Sequence, residues 1–374
     1  PDYATMANVL NNELHTLSNR YLLILSLLIP SLLILQGCQS NLGHLGTPIP
    51  ISMPAMLLPD DKLVTRIALG SCFQPEQDDA IFRTIKAADP DVFLFIGDNV
   101  YAADESDDPA LKSLQAAYAN LAQSTEFAQL REAVPLIVTW DDHDYGADDA
   151  GGDWPHKFQS EKIFEQFWAI PANDVRATRD GVYYARIVGP PGQRTQFIVL
   201  DTRFFKTPAT FSPEDQNLLG DDQWLWLEEQ LNQTADVRII VSSIQLLGTG
   251  YSESWSKLPL EQERLFDLIA KTDANGIIVV SGDLHSGAMY SAQRSAHYPI
   301  TEFTASSLNQ PVSGFVTNIK DKLLPERIDA PFHDANFGLI EIDWSTKRLV
   351  LLLKDEHGDT VRQKSIAFEE LTGR

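Results

Sequence analysis

Six times along this chain a short apolar, β-branched run stops abruptly at polar residues, and that recurrence constrains the fold more than any other feature. Residues 66–69 (RIAL) stop at Gly70, Ser71 and Cys72. Residues 91–96 (DVFLFI) stop at Gly97, Asp98, Asn99, Val100 and Tyr101, and residues 135–139 (PLIVT) at Trp140, Asp141, Asp142, His143 and Asp144. Residues 196–200 lead into Asp201, Thr202 and Arg203, residues 238–241 into Ser242, Ser243, Ile244 and Gln245, and residues 276–280 into Ser281, Gly282, Asp283, Leu284 and His285. Apolar runs of this length without alternation fit strands buried on both faces. Between them, residues 79–88 begin with an acidic cap and space their apolar side chains three and four apart, and residues 110–131, 160–168, 221–232 and 260–271 read as helices in the same way. Strands alternating with helices predict an α/β domain whose central strands are largely parallel. In such sheets ligands bind beyond the carboxyl ends of the strands, where all six polar clusters fall. Residues 337–344 and 349–354 predict a β-hairpin forming edge strands of the same domain.

The side chains collected at those ends include Cys72, Asp98, Asn99, Tyr101, Asp141, Asp142, His143, Asp201, Arg203, Gln245, Asp283 and His285. Gathering so many carboxylates is costly through repulsion and desolvation unless cations neutralise them. Hard carboxylates mixed with imidazole, thiolate and phenolate suit a transition metal beside a harder partner. Two such ions activate water and stabilise an in-line phosphoryl displacement, with the Arg203 fork offered to a phosphate oxygen. The chain's 29 Lys plus Arg against 52 Asp plus Glu, a formal net charge of −23, argues against non-specific nucleic-acid binding, which depends on neutralising phosphates. Two cysteines, at 38 and 72, exclude a disulfide framework.

Blocks GSC (70–72), FIGDNVYA (95–102), WDDHDYG (140–146), LDTR (200–203), LGDDQWLWLEEQL (219–231), VSSIQ (241–245), SGDLHSG (281–287), TASSLN (304–309) and NFG (336–338) span about 270 residues in order. In this ordered set the sequence resembles the alkaline phosphatase D (PhoD-like) phosphoesterases, members of the calcineurin-like metallophosphoesterases. The resemblance implies a four-layer α/β/β/α sandwich with a dinuclear or multinuclear centre, Fe3+ with Ca2+, or Zn2+ or Mn2+ in their place. It implies that Asp98 bridges the ions and that Cys72 and Tyr101 bind one of them. Asp142, Asp283, His285 and Gln245 are implied as further metal ligands, while His143, Arg203 and Asn99 are implied at the phosphate. A small phosphate monoester or diester is the implied substrate.

Bland readings stand beside these. Cys72 also fits a buried small hydrophobe, Tyr101 a packed phenol, and Asp141 a cap for the following loop. Asp201 reads as orienting Arg203, and Asp144, Asp148, Asp149 and Asp153 as a solvated acidic loop. Two other function classes compete: a hydrolase with Cys72 as nucleophile, and a calcium-binding envelope lipoprotein without catalysis.

Residues 21–35 form an apolar run of 15 after Arg20, too short for a comfortable membrane span but of signal-peptide length. The run leads to Gly37-Cys38, which resembles a bacterial lipobox; an uncleaved anchor is the alternative. The expected organisation is a signal peptide over 1–37, a lipidated N-terminus and tether over 38–64, and the phosphatase domain over 65–374. With Gln and not Asp at position 39, a lipid-anchored protein of the outer membrane, facing the periplasm, is expected. Cys38→Ser should leave the precursor unprocessed or release the protein from membranes, as read by fractionation and by mass of the mature chain.

Overall fold

In a computed structural model the described residues are 52–53, 56–103, 106–208, 210–248, 253–312 and 326–373. Cys38 and the expected signal peptide lie outside them. Two six-stranded sheets carry the fold. The first contains β1 (Arg66–Gly70), β2 (Val92–Ile96), β3 (Leu136–Thr139), β10 (Asn336–Asp343), β11 (Arg348–Asp355) and β12 (Thr360–Ala367), in the order β12-β11-β10-β1-β2-β3. The second contains β4 (Tyr184–Val188), β5 (Thr195–Val199), β6 (Val237–Val241), β7 (Ile277–Ser281), β8 (Gly287–Ala292) and β9 (Ile300–Ala305), in the order β4-β5-β6-β7-β9-β8. β1, β2 and β3 are parallel, as are β5, β6, β7 and β9.

Period-two alternation divides the apolar side chains into two cores. Ile67, Leu69, Val92, Leu94 and Ile96 of the first sheet join Phe197, Ile239, Val279 and Phe303 of the second in one buried cluster. Phe93, Phe95 and Val138 point the other way, onto Ile81, Phe82 and Ile85 of α1 (Ala80–Ala87) and onto residues of α2 (Lys112–Gln123), α3 (Thr125–Ala133) and α5 (Lys157–Phe167). A one-turn α4 (Asp142–Tyr145) precedes α5. The second sheet is covered by α6 (Asp221–Leu231) and α7 (Pro259–Thr272), through Trp224, Leu227, Leu265 and Ile269. The result is the four-layer α/β/β/α sandwich. Among the described residues no helix is long and apolar enough to cross a membrane.

Three expectations need correction. The helix expected over 110–131 is two helices, because Ser124 is extended and its hydroxyl caps α3 by accepting from Phe127 N. The C-terminal hairpin does not form edge strands: β10 lies between β1 and β11, and the polar β12 supplies the edge. The last part of the expected tether is not free, since Leu58 and Val64 are buried in the inter-sheet core and Gly189 N donates to Asp60 O at 2.8 Å.

Phe82 touches the rings of Phe73, Phe93, Phe95 and Phe127, with centroids 4.5–6.2 Å apart. Phe82→Ala should therefore cost about 3–5 kcal/mol of folding stability, measurable by denaturant titration.

Candidate metal centre

β1, β2 and β7 deliver their side chains through left-handed backbone positions. Cys72, Asp98, Asp283 and His285 all have positive φ, between 49° and 66°. Such residues cost of order 1–3 kcal/mol each and persist where the surroundings enforce them. Gly97 (φ 103°) is needed for another reason: a Cβ there would come 2.7 Å from Asp141 Cβ, so glycine lets the β2 and β3 ends approach.

Three groups of ligand-type side chains meet there, each with its donor atoms within 4.8 Å of one another: Cys72, Asp98 and His285; Asp98, Asp142 and His143; and Asp141, Asp142 and Asp283. Asp98 belongs to two of them, and so does Asp142. Tyr101 joins the first, its hydroxyl donating to Asp98 Oδ2 at 3.0 Å and lying 3.1 Å from His285 Nε2. Cys72 Sγ lies 3.5 Å from Asp98 Oδ2 and 3.1 Å from Ser306 Oγ. Gln245 is fully buried and its Nε2 donates to Gly282 O, leaving Oε1 without a partner. Asn99 Oδ1, Asp141 Oδ2 and Asp142 Oδ1 are also buried without a hydrogen bond, though Asp142 Oδ1 lies 3.8 Å from Arg203 Nη2. Buried acceptor oxygens without donors, beside carboxylates shared between groups, suit a cation. The residues present therefore fit metal ions.

Electrostatics agree. Burial, reinforced by the charges of Cys72 and Asp142, holds the Asp98 carboxyl well above the usual range. Asp141 and Asp283 are raised too, chiefly by burial. Asp142 is lowered, because the charges of Arg203 and His143 overcome its burial. At the thiol end, burial opposes ionisation of Cys72, but the neighbouring His285 brings it down to about 6. Burial would lower His285, yet the Cys72 charge raises it to about 9.

The sequence-derived residues therefore converge, with exceptions. Arg203 does not present its fork to solvent. It is fully buried, Nη1 and Nη2 donate to Glu253 at 2.8 and 2.6 Å, and Nε donates to Asp141 at 2.5 Å. Its charge is consumed by carboxylates, so the expected phosphate contact is corrected to a counter-charge within the centre. Asn99 is also committed, its Nδ2 donating to Thr139 O at 2.7 Å and to Asp144 Oδ2; only Oδ1 is left to take part. Asp144 is not part of a solvated loop: it is fully buried and accepts from Asp141 N at 2.6 Å and Asn99 N at 3.2 Å. Asp201 orients the backbone carrying Arg203, accepting from Arg203 N at 2.9 Å. His143 is half-buried, stacks on Tyr101 with centroids 4.4 Å apart, and places Nε2 3.8 Å from Asp148. Sequence reasoning missed Glu253, which follows no strand and sits in no block.

Comparison with known proteins gives the same answer. The family model of PhoD-like phosphatases matches residues 67–351. Alkaline phosphatase D of Bacillus subtilis (strain 168) is 27% identical over 192 residues, 41% of this chain and 31% of that protein. The match thus spans about a third of that relative's length. A solved structure of PhoD superposes with a TM-score of 0.65 at 16% identity, covering 85% of this chain and 73% of that one. GAP50, the anchor in the inner membrane complex of Plasmodium, gives 0.54 at 13% identity, covering 82% and 89%. At these identities the structural likeness concerns the fold alone.

The Cys72–His285 pair makes a pH prediction. In metal-stripped protein the thiolate should persist down to pH about 6, followed by ultraviolet thiolate absorbance. His285→Ala should return the midpoint to, or above, the ordinary thiol value of about 8.5.

Proposed function

The chain belongs to the PhoD-like phosphatase family, and from that premise we propose that it is a metal-dependent phosphoesterase working in a bacterial cell envelope. The observation that carries this reading is the sharing of Asp98 and Asp142 between adjacent ligand groups, with four buried oxygens there that lack a hydrogen bond. Two ions would be held there. Cys72, Tyr101, His285 and Asp98 offer an electron-rich set that favours a trivalent or soft ion, Fe3+ by preference. Asp98, Asp142, Asp283 and Gln245 offer oxygens that suit Ca2+, with Zn2+ or Mn2+ as substitutes. Ions so placed supply an activated water and stabilise charge on the phosphoryl oxygens.

The chain's own residues do the rest. Asp98 fixes the spacing of the two halves, and its Oδ1 also receives His143 N at 3.4 Å. His143, stacked on Tyr101 and half exposed, holds a proton at Nε2 for the departing oxygen. Arg203 pairs with Asp141 and Glu253 and helps hold Glu253 charged, so its donors are committed to the protein and do not grip substrate. The organic part of a small ester has room in a cavity of about 340 Å3 beside the centre, bordered by Asp149, Lys206, Glu253 and Lys257. Cys72 as nucleophile is disfavoured, because its sulfur is fully buried among the ligand groups. Export, lipidation at Cys38 and attachment to the outer membrane belong to this reading, supported by the N-terminal sequence alone.

Asp98→Asn should lose metal, and its turnover of mono- and bis-p-nitrophenyl phosphate should fall beyond the roughly 100-fold that outer ligand partners cost. Asp142→Asn should be milder, since the resemblance places Asn there in related phosphatases. Metal analysis with visible absorbance checks the assignment: thiolate and phenolate on Fe3+ should colour the protein, and Tyr101→Phe should weaken the band. Asp98→Asn with full metal and normal turnover would overturn the two-ion reading. A colourless, fully active zinc or magnesium protein would overturn only the iron.

A further inference from the structure

The block TASSLN (304–309) supplies none of the ligand groups, yet it leads from the end of β9 directly to the thiol side of the centre. Ser306 is fully buried there. Its Oγ accepts from His285 N at 2.8 Å and lies 3.1 Å from Cys72 Sγ. One hydroxyl thus meets two members of the Cys72, Asp98 and His285 group, one following β1 of the first sheet and the other β7 of the second.

The backbone that carries this hydroxyl is tied down on both sides. Ser307 N and Leu308 N both donate to Ser71 O, at 3.2 and 2.9 Å. Asn336 Nδ2 donates to Ser306 O at 2.6 Å, and Asn336 N to Ser307 O at 2.8 Å. Asn309 holds Gln74, accepting from its N at 2.7 Å and donating to its O at 3.0 Å. Further on, Gln310 O accepts from His285 Nδ1. A carbonyl oxygen only accepts, so the ring keeps its proton on Nδ1 and offers Nε2 to an ion. The segment therefore braces the Cys72 loop and the His285 loop together.

The proton count sets the direction of the contact between Ser306 and Cys72. A sulfur bound to an ion carries no hydrogen, so the hydrogen between the two atoms is the one on Ser306. That hydroxyl uses a lone pair on His285 N and keeps its O–H for the sulfur. Ser71 Oγ also approaches Cys72 Sγ, at the longer distance of 3.4 Å.

We propose that Ser306 is a positioning residue of the centre, donating to the Cys72 sulfur while it holds the His285 backbone. The hydrogen bond draws electron density from the thiolate and so sets how strongly that sulfur donates to its ion. Hydrogen bonds to a cysteine sulfur tune metal centres in this way. The inference rests on the reading that Cys72 and His285 hold an ion, and it adds a residue that is not itself a ligand.

Cobalt makes the sulfur visible. Metal-stripped full-length protein is reloaded with cobalt chloride, and the sulfur-to-cobalt charge-transfer band is recorded for wild type, Cys72→Ser, Ser306→Ala and Ser306→Thr. Wild type should show the band and Cys72→Ser should lose it, which assigns it to Cys72 and not to Cys38. Ser306→Ala should move the band to longer wavelength, because a sulfur without that hydrogen bond gives up electron density more readily. Ser306→Thr keeps the hydroxyl and should stay near the wild-type position. Resonance Raman of wild type reloaded in heavy water needs no variant, and the cobalt–sulfur stretch should shift on deuteration. An unshifted stretch would overturn the inference. So would a band that Ser306→Ala leaves in place, or one that moves equally in Ser306→Ala and Ser306→Thr, with Cys72 still standing as a ligand. A wild type that binds no cobalt, or binds it without a sulfur band, would overturn Cys72 as a ligand, and this inference with it.

Discussion

Repulsion between buried carboxylates is the constraint on which the rest of the structure depends. Asp98, Asp141, Asp142 and Asp283 come together because parallel strands from two facing sheets end at one place. Water cannot solvate them there, and unpaired charges in a poor dielectric are costly. The chain answers partly with its own cations. Arg203 is fully buried against Asp141 and Glu253, and Lys206 reaches Glu253 from the rim. Even so, burial holds the Asp98, Asp141 and Asp283 carboxyls well above the usual range, and Gln245 Oε1 has no hydrogen bond. The imbalance is local, and it marks the place that bound cations would complete.

Holding such loops in place takes a second layer of carboxylates that binds backbone and leaves the ions alone. Asp144 receives the amides of Asp141 and Asn99, joining the β2 and β3 ends. Asp201 receives Val182, Arg203 and Phe204, each at 2.9 Å. Glu302, deep in β9, receives Leu246 and Leu247 just after Gln245. Loops that leave a sheet abruptly carry orphan N–H groups, and a buried carboxylate satisfies several at once. This anchoring holds the loops after β2, β3, β5 and β6 in place.

The readable parts of the sequence were those where both faces of an element share one environment. β1, β2, β3, β5, β6 and β7 lie between layers, so each carries an apolar run of at least three residues and its end is sharp. β12 was missed because only Ile366 of its eight residues is buried, and an edge strand with Arg362, Gln363 and Lys364 looks like loop. The residues that converge at the centre were legible because each lies within five residues of a strand end. Glu253 was not, since its link to Arg203 crosses 50 residues and no local pattern encodes it. Asp144 was misread for the opposite reason: local acidity suggested solvent, and only the tertiary structure shows it buried. Arg203 was placed correctly and its partner was not, because a guanidinium suits phosphate and carboxylate equally.

The two halves of the centre are unequal, and the inequality follows from which sheet supplies them. Cys72, Asp98, Tyr101, Asp142 and His143 belong to loops of the first sheet, while Gln245, Asp283 and His285 belong to loops of the second. Each ligand group that includes Asp283 or His285 therefore draws on both sheets. Between those sheets lies a close-packed apolar layer whose driving force is non-directional. Coordinating groups are directional, so a bound ion would add a constraint between the two sheets beyond the one that packing supplies. Binding that favours the folded state adds to its stability by mass action. Metal loading would therefore be coupled to the alignment of the two sheets, and substitutions in the inter-sheet core would reach the centre through that coupling.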